Sequence, residues 1–219
     1  MVRSAVLFDL DGTLWNAPID WQGIRDEMGL RYTGEPILEQ IEKLPGDRRG
    51  KALSVLHERE SRGVSEGALI DGATDLCRAL RDAGVLCGLV SNNARKNVDE
   101  VLRLTGLQFD VVLSRDDVPT KPAPNGFLTA MRRIQVEAEH AAVVGDTHLD
   151  AVAAHAAGVR RIILVSPPAW SAELIPQRVV WRFAADLTAV RRCLMADLTC
   201  SRPVPASTVP NEEMCDHVQ

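Results

Sequence analysis

Asp9 and Asp11 close the apolar run "SAVLFDLDGTLW" at residues 4–15, two residues apart, with Gly12 directly after them. Side chains alternate along an extended chain, so both carboxylates point the same way from the end of that run. Two such charges at ~4 Å repel by about 4 kcal/mol under an effective dielectric near 20. A cation or a proton is needed to hold the pair. Other apolar runs also end in chemistry. "GLVSNN" ends in Ser91 and Asn92, and "DVVLSRDD" ends in Ser114, Asp116 and Asp117, with Lys121 a short distance on. "AVVGDTHLD" ends in Asp146, and Asp150 follows four residues later on a helical turn.

These groups need elements that bring them to one place. The runs at 5–10, 85–90, 110–114, 141–146 and 161–166 read as buried strands, with a weaker edge candidate at 179–183. Helical patterns lie between most of them. Over 73–83 Ala73, Leu76, Cys77 and Leu80 share a face, and Gly84 ends the pattern. Over 125–136 Phe127, Leu128, Met131 and Ile134 share one, and residues 150–157 are alanine-rich up to Gly158. Continuous apolar strands alternating with amphipathic helices predict an α/β fold, a doubly wound parallel sheet covered on both faces. In such sheets ligands gather at the carboxyl ends of the strands, which is where the polar residues above fall.

The interval 15–72 breaks the alternation. It carries no convincing strand and three helical patterns, at 21–30, 35–44 and 48–61, punctuated by Pro18, Pro36 and "LPGD". The expected organisation is a core from 1–14 and 73–200, a small all-helical insert at 15–72, and a disordered tail at 201–219.

The 219 residues are 46% hydrophobic and 25% charged, which supports one sizeable core and a modest insert. A net charge of −5 leaves no electrostatic footprint for nucleic acid and no polybasic membrane patch. No apolar stretch approaches the ~18 residues of a membrane span. Five cysteines make an odd number without C-x-x-C spacing, and Cys77 and Cys87, inside apolar segments, read as buried free thiols. A reduced, cytoplasmic setting is expected, with no signal peptide, because Asp9 interrupts the first apolar run too early.

"FDLDGTL", "VSNN", "KPAP" and "GDTHLD", in that order, resemble the four motifs of the haloacid dehalogenase-like phosphatases. The likeness covers residues 4–166, and the helical insert matches the small cap of the phosphoglycolate phosphatase-like subgroup in place and size. It implies a Rossmann-like core and an aspartyl-phosphate enzyme acting on a small phosphorylated metabolite, as a monomer or homodimer. By this resemblance Asp9 is the nucleophile, and Asp11 is the acid that protonates the leaving alcohol and then the base that activates water. Magnesium is held by Asp9, the Asp11 carbonyl and Asp146, with Asp150 in support. Ser91 and Asn92 bind the phosphoryl oxygens, and Lys121 holds Asp9 and the phosphoryl group together.

Elementary chemistry agrees with those roles. A carboxylate approaches a phosphate dianion only when a hard dication and a cationic side chain cancel the repulsion, and magnesium suits a few carboxylates plus substrate oxygen. An acid at position 11 suits an alkoxide leaving group; the carbon–halogen hydrolysing members of the family lack it. His148, between two aspartates, is expected off the metal, since oxygen ligands suffice. "GDRRGK" at 46–51 reads as a solvated helix start, with Arg48, Arg49 or Lys51 reaching an anionic leaving group as the alternative. The competing functions are a phosphosugar mutase of the same family and a non-catalytic binding protein on the same fold.

Overall fold

The computed structural model describes residues 3–199. In chain order its elements are β1 (Ala5–Phe8), β2 (Trp15–Asn16), α1 (Trp21–Met28), α2 (Ile37–Glu42), α3 (Gly46–Glu66), β3 (Ala68–Leu69), α4 (Ala73–Asp82), β4 (Leu86–Val90), α5 (Arg95–Thr105), β5 (Val111–Leu113), α6 (Asn125–Ile134), β6 (Ala141–Gly145), α7 (His148–Ala156), β7 (Arg161–Val165), α8 (Ala169–Ala172), β8 (Arg182–Ala184) and α9 (Leu187–Thr199). Six strands form one parallel sheet in the order β5-β4-β1-β6-β7-β8. Every residue of β1 and β6 is buried, as expected of central parallel strands, and this is why their sequences are apolar without alternation.

The two sheet faces carry separate cores. Val6 and Phe8 face Leu76, Leu80, Val98 and Leu187, while Ala5 and Leu7 face Phe127, Met131, Ala151 and Ala154. The doubly wound α/β architecture expected from the sequence is therefore present. From β1 the chain winds to β4 and β5 on one side, then crosses to β6 on the other. The order reverses at β1, so the crevice outside its carboxyl end is the topological switch point.

Three local expectations are corrected. Leu128 is 46% exposed and leaves the buried stripe to Phe127, Ala130, Met131 and Ile134, because it lies one helical step beyond the face that meets the sheet. The edge strand occupies Arg182–Ala184 rather than 179–183. Its register is set by pairing with β7 alone, and Val179 packs into the core just before it. The interval 15–72 does contain strand: β2 and β3 pair antiparallel, Trp15 opposite Leu69, where the chain leaves and rejoins the sheet domain.

Between them α1, α2 and α3 pack around a cluster of their own, formed by Ile24, Met28, Ile37, Ile41, Ala52 and Leu56. Cys77 and Cys87 are buried free thiols. The expected tail at 201–219 lies outside the described residues. Among the described residues, no helix is long and apolar enough to cross a membrane.

Candidate active site

The strand ends at the switch point bring the acidic residues together. Asp9 follows β1 directly, and its backbone N–H donates to the Val144 carbonyl of β6 at 2.9 Å, which aligns the two strand ends. Carboxylate oxygens of Asp9, Asp146 and Asp150 lie within 4.8 Å of one another. Gly12 makes this approach possible. Its φ is +85°, and a Cβ there would stand 2.1 Å from Asp146 Oδ2, so any side chain would push the Asp146 carboxylate away. Gly145 does the same for Asp150, whose Cβ and Cγ would lie 2.4 Å from an added Cβ.

Lys121 is the cation in this cluster. It is 3% exposed, and its Nζ donates to Asp9 Oδ1 at 2.5 Å and to Asp150 Oδ1 at 2.6 Å. Asn92 fixes its backbone: the Lys121 N–H donates to Asn92 Oδ1 at 2.8 Å, and Asn92 Nδ2 donates to the Lys121 carbonyl at 3.0 Å. The remaining oxygen of Asp150, Oδ2, accepts from the Thr147 N–H at 3.1 Å and the Thr147 hydroxyl at 2.9 Å, closing a capping box at the start of α7. One carboxylate thus starts the helix and anchors the lysine.

Asp11 stands apart from the lysine. Its Oδ2 accepts from Asn93 Nδ2 at 3.0 Å, and its Oδ1 is buried without a partner. Asn93 is itself locked, because its Oδ1 accepts from the Ala94 N–H and from Asn97 Nδ2, both at 2.8 Å. Ser91 Oγ accepts from the Asn93 N–H at 3.0 Å and so shapes the same turn. The motif "SNN" supplied the signal for Asn93, but only the fold shows that this second asparagine, not Asn92, reaches Asp11.

Charge explains the state of these acids. Burial raises the Asp9 carboxyl to about 7 against the opposing pull of Lys121. Burial likewise raises Asp11 to about 6, against the Asn93 hydrogen bond. Asp146 is pushed well above the carboxylate range by burial and by Asp9 and Asp150. Lys121 moves upward because Asp150 and Asp9 outweigh its own burial. Several acids around one ammonium leave an excess of negative charge. Hard carboxylate oxygens in this number, together with the orphaned Asp11 Oδ1, suit an oxygen-seeking dication.

Other expected positions fall elsewhere. His148 is buried off the cluster: its Nε2 lies 3.0 Å from the Gly34 carbonyl and its Nδ1 3.0 Å from Ser171 Oγ. Asp116 accepts from the Arg95 N–H at 2.7 Å, and Asp117 pairs with the Arg95 guanidinium and accepts from Ser114, so both organise the loop after β5. Arg48 donates to the Met28 carbonyl at 3.0 Å, while Arg49 and Lys51 are exposed.

A pair absent from the sequence reading joins the helical segment to the core. Glu60 of α3 and Arg115 form a bidentate ion pair at 2.5 and 2.8 Å, with side chains 4% and 8% exposed. Arg115 also donates to the Asn92 carbonyl at 3.3 Å. No periodicity marks Glu60, because a charged residue on a helix normally reads as solvent-facing. Glu60→Ala leaves a buried guanidinium uncompensated and is expected to cost about 3–5 kcal/mol in urea unfolding. The double variant with Arg115→Met should lose less than the sum of the single losses. A cost below about 1 kcal/mol, typical of an exposed pair, would contradict the buried reading.

Asp9, Asp11, Asn92, Lys121, Asp146 and Asp150 open onto one cavity of about 480 Å³, whose opposite wall comes from α1, α2, the segment between them and Trp170 of α8. A model of the haloacid dehalogenase-like hydrolase family matches residues 19–158. Pyrophosphatase PpaX of Oceanobacillus iheyensis is 28% identical over 76% of this chain and 83% of its own length. Phosphoglycolate phosphatase 1 of Pseudomonas aeruginosa is 30% identical over 71% of this chain and 66% of its own. The chain spans between 64% and 83% of the lengths of the first curated relatives it matches. A hydrolase from Pseudomonas syringae shares the fold with a TM-score of 0.69 at 18% identity, over 91% of this chain and all of that one.

Proposed function

This chain belongs to the haloacid dehalogenase-like hydrolases, and from that premise we propose that it is a magnesium-dependent phosphatase hydrolysing a small phosphomonoester through an aspartyl-phosphate on Asp9. One observation carries this reading. The Asp9 carboxylate is held by Lys121 inside a cluster of acids, beside a second acid, Asp11, on a separate hydrogen bond. A structural ion pair has no use for that surplus of charge; a phosphoryl-transfer site does.

Asp9 and Asp146, with the Asp11 carbonyl, would hold magnesium, which would supply Lewis-acid neutralisation of phosphoryl charge. Asp150, whose oxygens already accept from Lys121 and Thr147, supports the site through the lysine. Lys121 orients the Asp9 carboxylate towards phosphorus and offsets charge in the transition state. One oxygen of Asp9 attacks phosphorus as the bond to the leaving oxygen breaks, and the Asp11 carboxyl passes its proton to that oxygen. Asp11, now a carboxylate, removes a proton from water, whose oxygen attacks phosphorus. The Asp9–phosphoryl bond breaks, leaving inorganic phosphate and the starting carboxylate. A carboxyl raised to about 6 suits both halves of this cycle, since it is neither too weak a base nor too weak an acid near neutrality.

With the Asn92 side chain engaged by Lys121, its main-chain N–H is the part left for phosphoryl oxygens; Ser91 serves by holding the turn through the Asn93 N–H. Residues 15–72 act as a cap that closes over the rim and excludes water. Phosphoglycolate, named in one relative, is the first substrate to test. Purified protein is expected to release phosphate from an aryl phosphate with magnesium and to lose that activity on chelation. Equal rates with and without metal would overturn the metal-dependent mechanism. Isomerised sugar phosphate without free phosphate would point to a mutase.

A further inference from the structure

The wall opposite the acids holds a cation that no acid among the described residues pairs with. Arg25, on the face of α1 that lines the cavity, is 8% exposed. Its Nη1 donates to the Trp21 carbonyl at 3.1 Å within the same helix, and its Nε is buried with no acceptor. Its guanidinium carbon lies 5.1 Å from the centre of the Tyr32 ring, which itself meets Trp170 edge-on at 4.9 Å. Among the described residues Arg25 takes part in no ion pair, whereas the other buried arginine of the helical–core junction, Arg115, has Glu60. Of the described residues lining the cavity, Arg25 and Lys121 alone are cations, and Lys121 is held by two aspartates.

Burying a guanidinium is costly unless a hydrogen-bonded anion compensates it. A ring face compensates only in part. The same burial lowers the Arg25 pKa, a sign that the folded protein alone stabilises its charge poorly. The missing partner must therefore arrive with what enters the cavity. The phosphoryl group is committed to the acidic rim, so the partner belongs to the other end of the same molecule. Around Arg25 the wall is apolar and aromatic, formed by Trp21, Tyr32, Ile37 and Trp170, which suits a carbon linker between two polar ends.

We propose that Arg25 is the specificity-determining residue of the cap, and that it selects phosphomonoesters whose leaving alcohol carries a second anionic group, a carboxylate or a phosphate. The inference rests on the phosphatase reading for the position of the scissile group, and it deepens that reading by naming the substrate class. The start of α3 at 46–51, the alternative anion reader, does not line the cavity. A guanidinium suits the task better than an ammonium, because its planar donors match a carboxylate or phosphate two at a time.

The test uses non-hydrolysable ligands, so its outcome does not depend on turnover. Calorimetric affinities in magnesium are compared for alkylphosphonates of one to four carbons, the same chains ending in a carboxylate, and the same chains ending in a second phosphonate. For at least one length, the wild type is expected to bind an ended chain at least about 10-fold more tightly than the plain one. Whether the carboxylate or the phosphonate series shows the effect identifies the anion. Arg25→Gln should abolish the preference while leaving plain alkylphosphonate affinity unchanged, and Arg25→Lys should restore part of it. If no length shows a preference, if it survives Arg25→Gln, or if Arg25→Gln weakens plain and ended chains alike, the inference falls. Magnesium-dependent release of phosphate from an aryl phosphate would still leave the phosphatase reading standing.

Discussion

Asp9→Asn is expected to lower kcat on any phosphomonoester by at least about 10³-fold, while a serine hydrolase stripped of its nucleophile loses ~10⁶-fold. Asparagine keeps the shape of the side chain and an oxygen for Lys121, but its amide cannot attack phosphorus or release a phosphoryl group to water as a carboxylate does. The same substitution should not harm the fold, and the sign follows from the pKa. Asp9 is raised to about 7 in the folded protein, above its value in the unfolded chain. Its contribution to stability is therefore full at acid pH, below the unfolded value, and is lost as pH rises through about 7. Asparagine has no such loss.

In chelator, then, the variant is expected to unfold at a higher temperature than wild type at pH 8, with the gap closing towards pH 4. A dead enzyme that is more stable than its parent would separate chemistry from structure. A variant with wild-type kcat, or one inactive only because it is unfolded, would contradict the assignment of Asp9.

The sheet was legible because burial on both faces writes its strands as unbroken apolar runs, and five of the six were visible to within two residues at each end. The acids of the rim were legible for a related reason: a carboxylate ending such a run has no core role to explain it. Three kinds of feature were hidden. Leu128 shares the helical period of Phe127 to within one step, and periodicity cannot say how wide the buried stripe is. Glu60 and Arg25 look like ordinary charges on helix surfaces, since only tertiary packing turns their faces towards the core or the cavity. Asn92 and Asn93 are chemically identical in sequence, and a turn decides that one holds the Lys121 backbone while the other reaches Asp11. In each case the missing information was the position of a side chain from a distant segment.

Lys121→Met separates the structural and catalytic parts of the cluster most sharply. Among the described residues the lysine ammonium is the sole cationic partner of Asp9 and of Asp150. Replacing it with an apolar chain of similar length keeps the volume but leaves two buried carboxyls facing each other without a counter-charge. At pH 7 without metal, stability is expected to fall by about 3–5 kcal/mol in urea unfolding, the usual consequence of stripping one partner from a buried pair. The loss should depend on pH in a defined direction. Without Lys121 the folded-state value of Asp9 rises further above its unfolded one, so the deficit grows as pH rises and shrinks as pH falls and Asp9 takes up a proton.

Magnesium should recover part of the stability, because a dication supplies charge to the same oxygens. It should not recover the rate. Asp9 would lack the hydrogen bond that aims it, and the phosphoryl oxygens would lack a donor, so kcat is expected to stay about 10²–10³-fold below wild type at saturating metal. Full rescue of the rate by magnesium would reduce Lys121 to a placeholder for the ion. A stability deficit unchanged between pH 5 and pH 8 would mean that the acids around it are not the reason it is there.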